Sequence, residues 1–165
     1  MMKVKQIVDE DFVNYRKPSM FVISPTCSFK CGKDICQNCS LADEPDIEIS
    51  AKDLVDRFLT NDISEAVVFG GLEPIDSFDD LKEFITLLRK KSDCDVVIYT
   101  GYDVEEIYNQ IWWLRQFKNI IVKFGRYVPG KEPHFDEVLG VNLASDNQYA
   151  VALEPRENKF DYLKW

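Results

Sequence analysis

The sequence predicts an α/β protein with a mostly parallel sheet, and three observations support that prediction. Short apolar segments typical of strands alternate with longer segments whose apolar residues recur at helical spacing. Turns that contain glycine or proline follow the strands, and one of these turns holds four of the five cysteines. Since parallel strands place the segments that follow them at one edge of the sheet, we expect these turns to lie together.

The first predicted strand covers residues 20–23, an apolar run that stops at the turn Ser24-Pro25-Thr26. It leads into a cysteine-rich segment, residues 24–40, which we call the cysteine loop. Ser50 is the predicted N-cap of a helix over residues 51–60, because its side chain can accept a hydrogen bond from the first helical turn. One face of that helix is apolar, at Leu54, Val55, Phe58 and Leu59.

A second strand is predicted over residues 65–69, where an apolar run stops at Gly70-Gly71. Ser77 is the predicted N-cap of the next helix, because a helical apolar pattern begins directly after it. The residues of that pattern are Phe78, Leu81, Phe84, Ile85 and Leu88.

The strand–helix alternation continues in the second half of the chain. Residues 95–99 form a third predicted strand, which is closed by Thr100-Gly101. Asp103 is the predicted N-cap of a helix from residue 104 to about 117. A fourth strand is predicted over residues 119–124, and a late one over residues 148–153.

The composition is that of one folded domain of 165 residues, since 45% of them are hydrophobic and no linker composition interrupts the chain. We assign the core βα units to about residues 20–125 and a C-terminal extension to residues 126–165. The extension ends in an aromatic tail, residues 160–165, and the sequence does not decide whether this tail packs on the domain or contacts a partner.

The charge and the apolar pattern exclude several classes of function. Twenty Lys and Arg against 29 Asp and Glu leave a net charge of -9, which argues against a broad grip on nucleic acid. No apolar run approaches the ~20 residues of a membrane-spanning helix. The N-terminal residues lack the apolar region of a secretion signal, so we expect a cytoplasmic protein.

Four cysteines, Cys27, Cys31, Cys36 and Cys39, lie within thirteen positions of one predicted loop. In a chain with a sizeable core and no export signal, clustered thiols favour a soft metal or an iron–sulfur cluster over disulfides. Four ligands would saturate a zinc ion or an electron-transfer cluster, whereas three would leave one iron of a four-iron cluster open. A dithiol redox pair at residues 36–39 lacks the usual strand-to-helix context.

The segments Cys27-Ser-Phe-Lys-Cys31 and Ile35-Cys36-Gln37-Asn38 resemble the Cys-x3-Cys-x2-Cys signature of the radical S-adenosylmethionine (SAM) superfamily, with two extra residues before Ile35. An Asn two positions after the last ligand is frequent in its glycyl-radical-activating branch. The resemblance implies a [4Fe-4S] cluster on the thiolates of Cys27, Cys31 and Cys36. It also implies that cofactor contacts are made by Ile35, Gln37 and Asn38. The two-residue expansion leaves Cys36 and Cys39 open as the third ligand.

Two later segments extend this resemblance. Gly70-Gly71-Leu72-Glu73-Pro74 is similar to the Gly-Gly-Glu-Pro segment of the superfamily, with Leu72 inserted. The resemblance implies that Gly70, Gly71 and Glu73 meet the methionine amino group of SAM. The segment Tyr99-Thr100-Gly101-Tyr102 resembles a strand end of the anaerobic ribonucleoside-triphosphate reductase activating proteins, which adds Thr100 to the predicted cofactor contacts. Further likenesses to that family occur at residues 123–127 and 144–148.

The resemblance implies an incomplete (βα) barrel of radical-SAM type, with a mostly parallel sheet. It implies reductive cleavage of SAM and formation of a glycyl radical on the large subunit of anaerobic ribonucleoside-triphosphate reductase. The electron would come from an external reductant such as flavodoxin or ferredoxin, with no nucleic acid or membrane as partner. Two alternatives stay open: a radical SAM enzyme for a small molecule, similar to 7-carboxy-7-deazaguanine synthase, and a four-cysteine zinc or electron-transfer module.

Overall fold

The computed structural model describes residues 1–30 and 32–157 of the chain. The predicted ligand Cys31 and the aromatic tail at residues 160–165 lie outside the described residues. Within the described residues, no helix combines the length and the apolarity that crossing a bilayer requires.

A six-stranded mixed sheet forms the centre of the molecule. Its four inner strands are parallel and are buried along their apolar runs, as expected for strands covered on both faces. These strands are β3 (Ser19–Ile23), β5 (Ala66–Gly70), β6 (Asp95–Tyr99) and β7 (Ile120–Phe124). The antiparallel strands β2 (Gln6–Asp11) and β10 (Tyr149–Ala152) close the two edges, in the order β10-β7-β6-β5-β3-β2.

Two small antiparallel pairs lie outside this sheet. Strand β1 (Met2–Val4) pairs with β4 (Ile47–Ile49), and β8 (His134–Asp136) pairs with β9 (Val141–Leu143). The sequence pattern predicted none of these four strands, nor the edge strand β2. Four of the five, namely β1, β4, β8 and β9, have only three residues each, so their apolar periodicity is too short to recognise.

Three helices connect the parallel strands, and their apolar faces pack on one side of the sheet. Helix α1 (Ala51–Leu59) begins as predicted, because the Ser50 side chain accepts a hydrogen bond from the Asp53 N–H. Helix α2 (Phe78–Arg89) and helix α3 (Tyr108–Leu114) lie after β5 and β6. The α/β class and the parallel inner strands are those that the sequence predicts, and the incomplete barrel of radical-SAM type remains a prediction.

Two of the predicted helix starts differ in detail. Ser77 stands at the N-cap of α2 but makes no side-chain capping bond there, because a 3₁₀ turn, Pro74–Ser77, already leads into the helix. Asp103 forms the predicted cap, and Glu106 returns a bond to its N–H at 2.9 Å. The segment that it caps is a 3₁₀ turn, Val104–Ile107, and α3 ends at Leu114 rather than near residue 117.

Segments of the chain itself cover the other face of the sheet. Tyr15, from the connection between β2 and β3, packs there with Leu139 and Leu143 from the C-terminal extension. The Tyr15 hydroxyl donates to Asp95 Oδ2 at 2.8 Å. Burial and the neighbouring Asp95 carboxylate raise the pKa of Tyr15 to about 12. Both faces of the inner strands are thus covered, and the carboxyl ends of the strands remain as the place for an open site.

Candidate functional site

A cleft of about 550 Å³ lies at the carboxyl ends of the parallel strands. It is bounded by the cysteine loop, by the turn after β5 and by the turns after β6 and β7. Seven of the ten predicted site residues line it: Cys27, Cys36, Gln37, Asn38, Gly71, Glu73 and Thr100. The three segments that the sequence placed after separate strands therefore share one edge.

The other three predicted site residues are placed differently. Ile35 is 42% exposed and is not among the residues that line the cleft. Gly70 is the last residue of β5, and its carbonyl accepts hydrogen bonds from the N–H groups of Ser24 and Leu72. Gly70 thus joins the start of the cysteine loop to the end of β5 instead of facing the cleft, and Cys31 lies outside the described residues.

The described thiols of the cysteine loop have surroundings that suit cluster ligands. Cys27 Sγ accepts a hydrogen bond from the Phe29 N–H at 3.2 Å, and Cys36 Sγ accepts one from the Asn38 N–H at 3.4 Å. Such N–H groups stabilise thiolate charge and tune the reduction potential of a bound cluster. Both thiols are half-buried and face one cleft. The donor chemistry therefore fits an iron–sulfur group.

Among the described residues, no three His, Cys, Asp or Glu side chains gather closely enough to hold a metal ion. Cys39 does not line the cleft and instead begins a short 3₁₀ turn, Cys39–Asp43. Cys27 and Cys36 are therefore the two described thiols that the fold places at the cleft.

Glu73 is buried, at 6% exposure, and connects two strand ends. Its Oε2 accepts a hydrogen bond from the Gly101 N–H at 2.8 Å, and its Oε1 accepts one from the Ile75 N–H at 3.1 Å. Burial raises the pKa of this carboxyl, while the N–H of Gly101, the hydroxyl of Thr100 and the N–H of Ile75 oppose the rise. The carboxylate is thus held in place by protein donors at a desolvated position that lines the cleft.

Gly71 occupies a position that a side chain would not fit. Its φ is +75°, and a Cβ there would lie 2.7 Å from Ile23 Cγ2. Glycine lets the turn after β5 reverse tightly against the end of β3, which brings Glu73 beside the cysteine loop. The Glu73 N–H donates to the Thr26 carbonyl at 2.9 Å, directly before Cys27.

Lys123 is a site residue that sequence reasoning missed. It lies on β7 at only 7% exposure, lines the cleft, and its Nζ donates to the Gly125 carbonyl at 2.8 Å. Burial lowers the pKa of this ammonium to about 8, and the Glu73 carboxylate opposes that shift. The sequence does contain a signal for it, because Lys123 is the one charged residue in the apolar strand Ile-Ile-Val-Lys-Phe. Lysines are rarely buried without a specific role.

The cleft therefore offers charges of both signs close to two thiols. Glu73 supplies a buried carboxylate, and Lys123 and Arg126 supply cations. Arg126 is held by an ion pair with Glu106 at 3.0 Å. This arrangement suits a ligand with a cationic and an anionic group, such as the α-amino and α-carboxylate ends of an amino acid.

Comparison with family models gives one match that covers most of the chain. The family described as 4Fe-4S single cluster domain matches residues 17–142, which include the cysteine loop and all four parallel strands. No curated protein and no solved structure matches the chain.

Proposed function

The chain belongs to the 4Fe-4S single cluster domain family, and on this premise we propose that it is a radical SAM activase. Its substrate in this proposal is a backbone glycine of anaerobic ribonucleoside-triphosphate reductase. The assignment of an iron–sulfur cluster rests on membership of this family. The use of SAM, three-cysteine ligation by Cys27, Cys31 and Cys36, the incomplete barrel, the cytoplasmic setting and the partner are parts of the proposal.

One observation carries the proposal, namely that a single cleft takes in both the cysteine loop and the turn after β5. Cys27, Cys36, Gly71 and Glu73 all line it, and the Glu73 N–H donates to the Thr26 carbonyl directly before Cys27. An electron-transfer or zinc module would need four thiolates and no adjoining cavity. A cleft with a buried carboxylate beside the thiols instead supports a cluster that works on a bound ligand.

When bound, the cluster would supply the electron that splits SAM into methionine and a 5′-deoxyadenosyl radical, which takes a hydrogen atom from the glycine. The protein's residues bind and orient. Glu73 would accept a hydrogen bond from the amino group of SAM, and Lys123 would attract its carboxylate. Apolar residues cover both faces of the sheet whose strand ends bear the cleft. An external reductant, flavodoxin or ferredoxin, would deliver the electron.

Anaerobic reconstitution with iron and sulfide tests this proposal. The reconstituted and reduced wild-type protein should convert SAM to methionine and 5′-deoxyadenosine, measured by chromatography. Cys27→Ala should abolish the product, and the matched control Cys94→Ala should not, because Cys94 packs against the helix-side core, away from the cleft. Absence of 5′-deoxyadenosine from a cluster-loaded protein would contradict the radical mechanism.

A second measurement tests the macromolecular substrate. Incubation with SAM, reductant and anaerobic ribonucleoside-triphosphate reductase should produce a glycyl radical, seen by electron paramagnetic resonance (EPR). Formation of 5′-deoxyadenosine without a glycyl signal would favour the small-molecule alternative similar to 7-carboxy-7-deazaguanine synthase. One zinc ion per chain and no cluster would favour the four-cysteine module.

A further inference from the structure

The turns after β5 and β6 hold the cysteine loop at the residue next to Cys27. The Ser28 N–H donates a hydrogen bond to Asp76 Oδ2 at 2.7 Å, and the Tyr102 hydroxyl donates to Asp76 Oδ1 at 2.6 Å. The hydroxyl oxygens of Ser28 and Tyr102 are 3.2 Å apart. We call Ser28, Asp76 and Tyr102 the loop clasp.

The ring of Tyr102 makes a second contact with the same loop. Lys30 Nζ lies 4.7 Å from the ring centroid, and Lys30 directly precedes the predicted ligand Cys31 in the sequence. Arg126 Cζ lies 5.5 Å from the same centroid. Tyr102 thus contacts a residue that follows one predicted ligand and a residue that precedes another.

The cysteine loop depends on such contacts because its described part up to Asn38 has no regular secondary structure of its own. Its described residues between β3 and the 3₁₀ turn at Cys39 form neither helix nor strand. Fixing an irregular residue costs backbone conformational entropy, so contacts from rigid elements decide whether the ligands are held ready. The clasp supplies them from the ends of two parallel strands.

We propose that Tyr102 and Asp76 are positioning residues for the iron–sulfur cluster, which they serve by holding Ser28 and Lys30 so that the cysteine loop keeps one conformation. They act through the Ser28 backbone beside Cys27 and through the Lys30 side chain. This inference rests on the cluster-binding part of the proposed function and requires neither SAM cleavage nor a particular partner. Residues that contact metal ligands without binding the metal affect how tightly the protein retains the cluster and also affect the reduction potential of the cluster.

The test compares four reconstituted variants with wild type. Tyr102→Phe removes only the hydroxyl, and Asp76→Asn replaces the carboxylate by an amide of the same size. Tyr149→Phe removes a hydroxyl on β10, and Asp79→Asn neutralises a 95% exposed carboxylate on α2 that pairs with Lys82, so both serve as matched controls. Three quantities are measured: the rate of cluster loss to an iron chelator, the EPR spectrum of the reduced cluster, and the melting temperature without cluster.

Tyr102→Phe and Asp76→Asn should lose the cluster about tenfold faster than wild type and should show an altered EPR spectrum. Both controls should match wild type, and the melting temperature without cluster should be unchanged in all four variants. Unchanged rates and spectra in the two clasp variants would overturn the inference. So would a fall in melting temperature that accounts for the faster loss, since the role would then be merely structural. A wild-type protein that takes up no cluster would instead overturn the proposed function.

Discussion

At the scale of single residues, position relative to the cleft separates the thiols more clearly than exposure does. Cys27, Cys36 and Cys39 are all half-buried. Cys36 lines the cleft, and its Sγ accepts a hydrogen bond from the Asn38 N–H, whereas Cys39 begins a 3₁₀ turn and does not line the cleft. A ligand must point at a shared centre, so Cys36 is the better candidate for the third thiolate.

Alanine replacement of each cysteine in turn distinguishes Cys36 from Cys39 as the third ligand. We expect Cys36→Ala to lose most of its reconstituted iron and its charge-transfer absorption, because two thiolates do not retain a cluster. Cys39→Ala should keep both near the wild-type level and serves as the matched control. Iron and sulfide analysis with absorption spectra provides the measurement, and the reverse pattern would assign the third ligand to Cys39.

Lys123 is the second residue whose surroundings predict a measurable effect. Its pKa is lowered from 10.5 to about 8 by burial, so the folded protein releases this proton before the unfolded chain does. Below pH 8 the ammonium is charged in both states, and the cost of burying it is fully present. As the pH rises from 8 towards 10.5, the folded state sheds the charge and the cost disappears.

The free energy of unfolding of the wild type should therefore rise relative to that of Lys123→Met across this pH window. The expected gain is about 2–4 kcal/mol, from the size of the pKa shift. Urea unfolding of both proteins without cluster, at pH values from 7.5 to about 10.5, measures the difference. A difference that stays constant with pH would show that Lys123 titrates like an exposed lysine.

At the scale of elements, the end of β5 meets the end of β3 closely enough to require glycine. Ile23 pairs with Gly70 in the parallel register, and the next residue, Gly71, turns back against the Ile23 side chain. The same turn places Glu73 where it accepts the Gly101 N–H after β6. Three strand ends are thus connected through one turn, and the cleft lies above them.

Gly71→Ala should destabilise the protein more than a matched glycine replacement. Gly130 also has a positive φ, +83°, but a Cβ there would have no neighbour within 4 Å, so Gly130→Ala should cost only the conformational strain of about 1 kcal/mol. Gly71→Ala adds an overlap with Ile23, which should cost about 1–3 kcal/mol more. Urea unfolding measures both, and equal costs would mean that the turn moves aside without strain.

At the scale of the whole molecule, each face of the sheet packs in its own hydrophobic core, and different parts of the chain form the two cores. Helices α1, α2 and α3 cover one face, and the connection before β3 together with the C-terminal extension covers the other. Leu139 is fully buried in the second core, and Asp136 caps its N–H at 2.9 Å. The packing of residues 126–157 on the sheet therefore contributes to the stability of the domain.

Leu139→Ala should lower the free energy of unfolding by about 2–5 kcal/mol, because a buried leucine leaves both lost apolar contact and a cavity. Phe135→Ala, on β8 and four residues before Leu139, is the control, since Phe135 is 60% exposed and should change stability by only about 0.5 kcal/mol. Denaturant unfolding with a single transition provides the measurement. A small effect of Leu139→Ala would mean that the extension unfolds independently.

The sequence alone was enough to identify the elements with a local pattern. The strands at residues 20–23, 65–69 and 95–99 match β3, β5 and β6 closely, since each is a run of apolar residues that ends at a turn signal. The Ser50 cap and the Asp103 cap were predicted from residues within one helical turn. The cluster of cysteines can likewise be recognised from residues that are close together in the sequence.

Contacts between distant segments required the tertiary structure. Glu73 reaches Gly101 across 28 positions, and Ser28 reaches Tyr102 across 74. The burial of Lys123 at the cleft depends on the register of β7 beside β6. Helical and strand periodicities specify which face of an element is apolar, but they do not specify which side chain a neighbouring element brings against it. That choice is made by strand register and by how closely the turns approach one another, and both depend on packing between segments that are distant in the sequence.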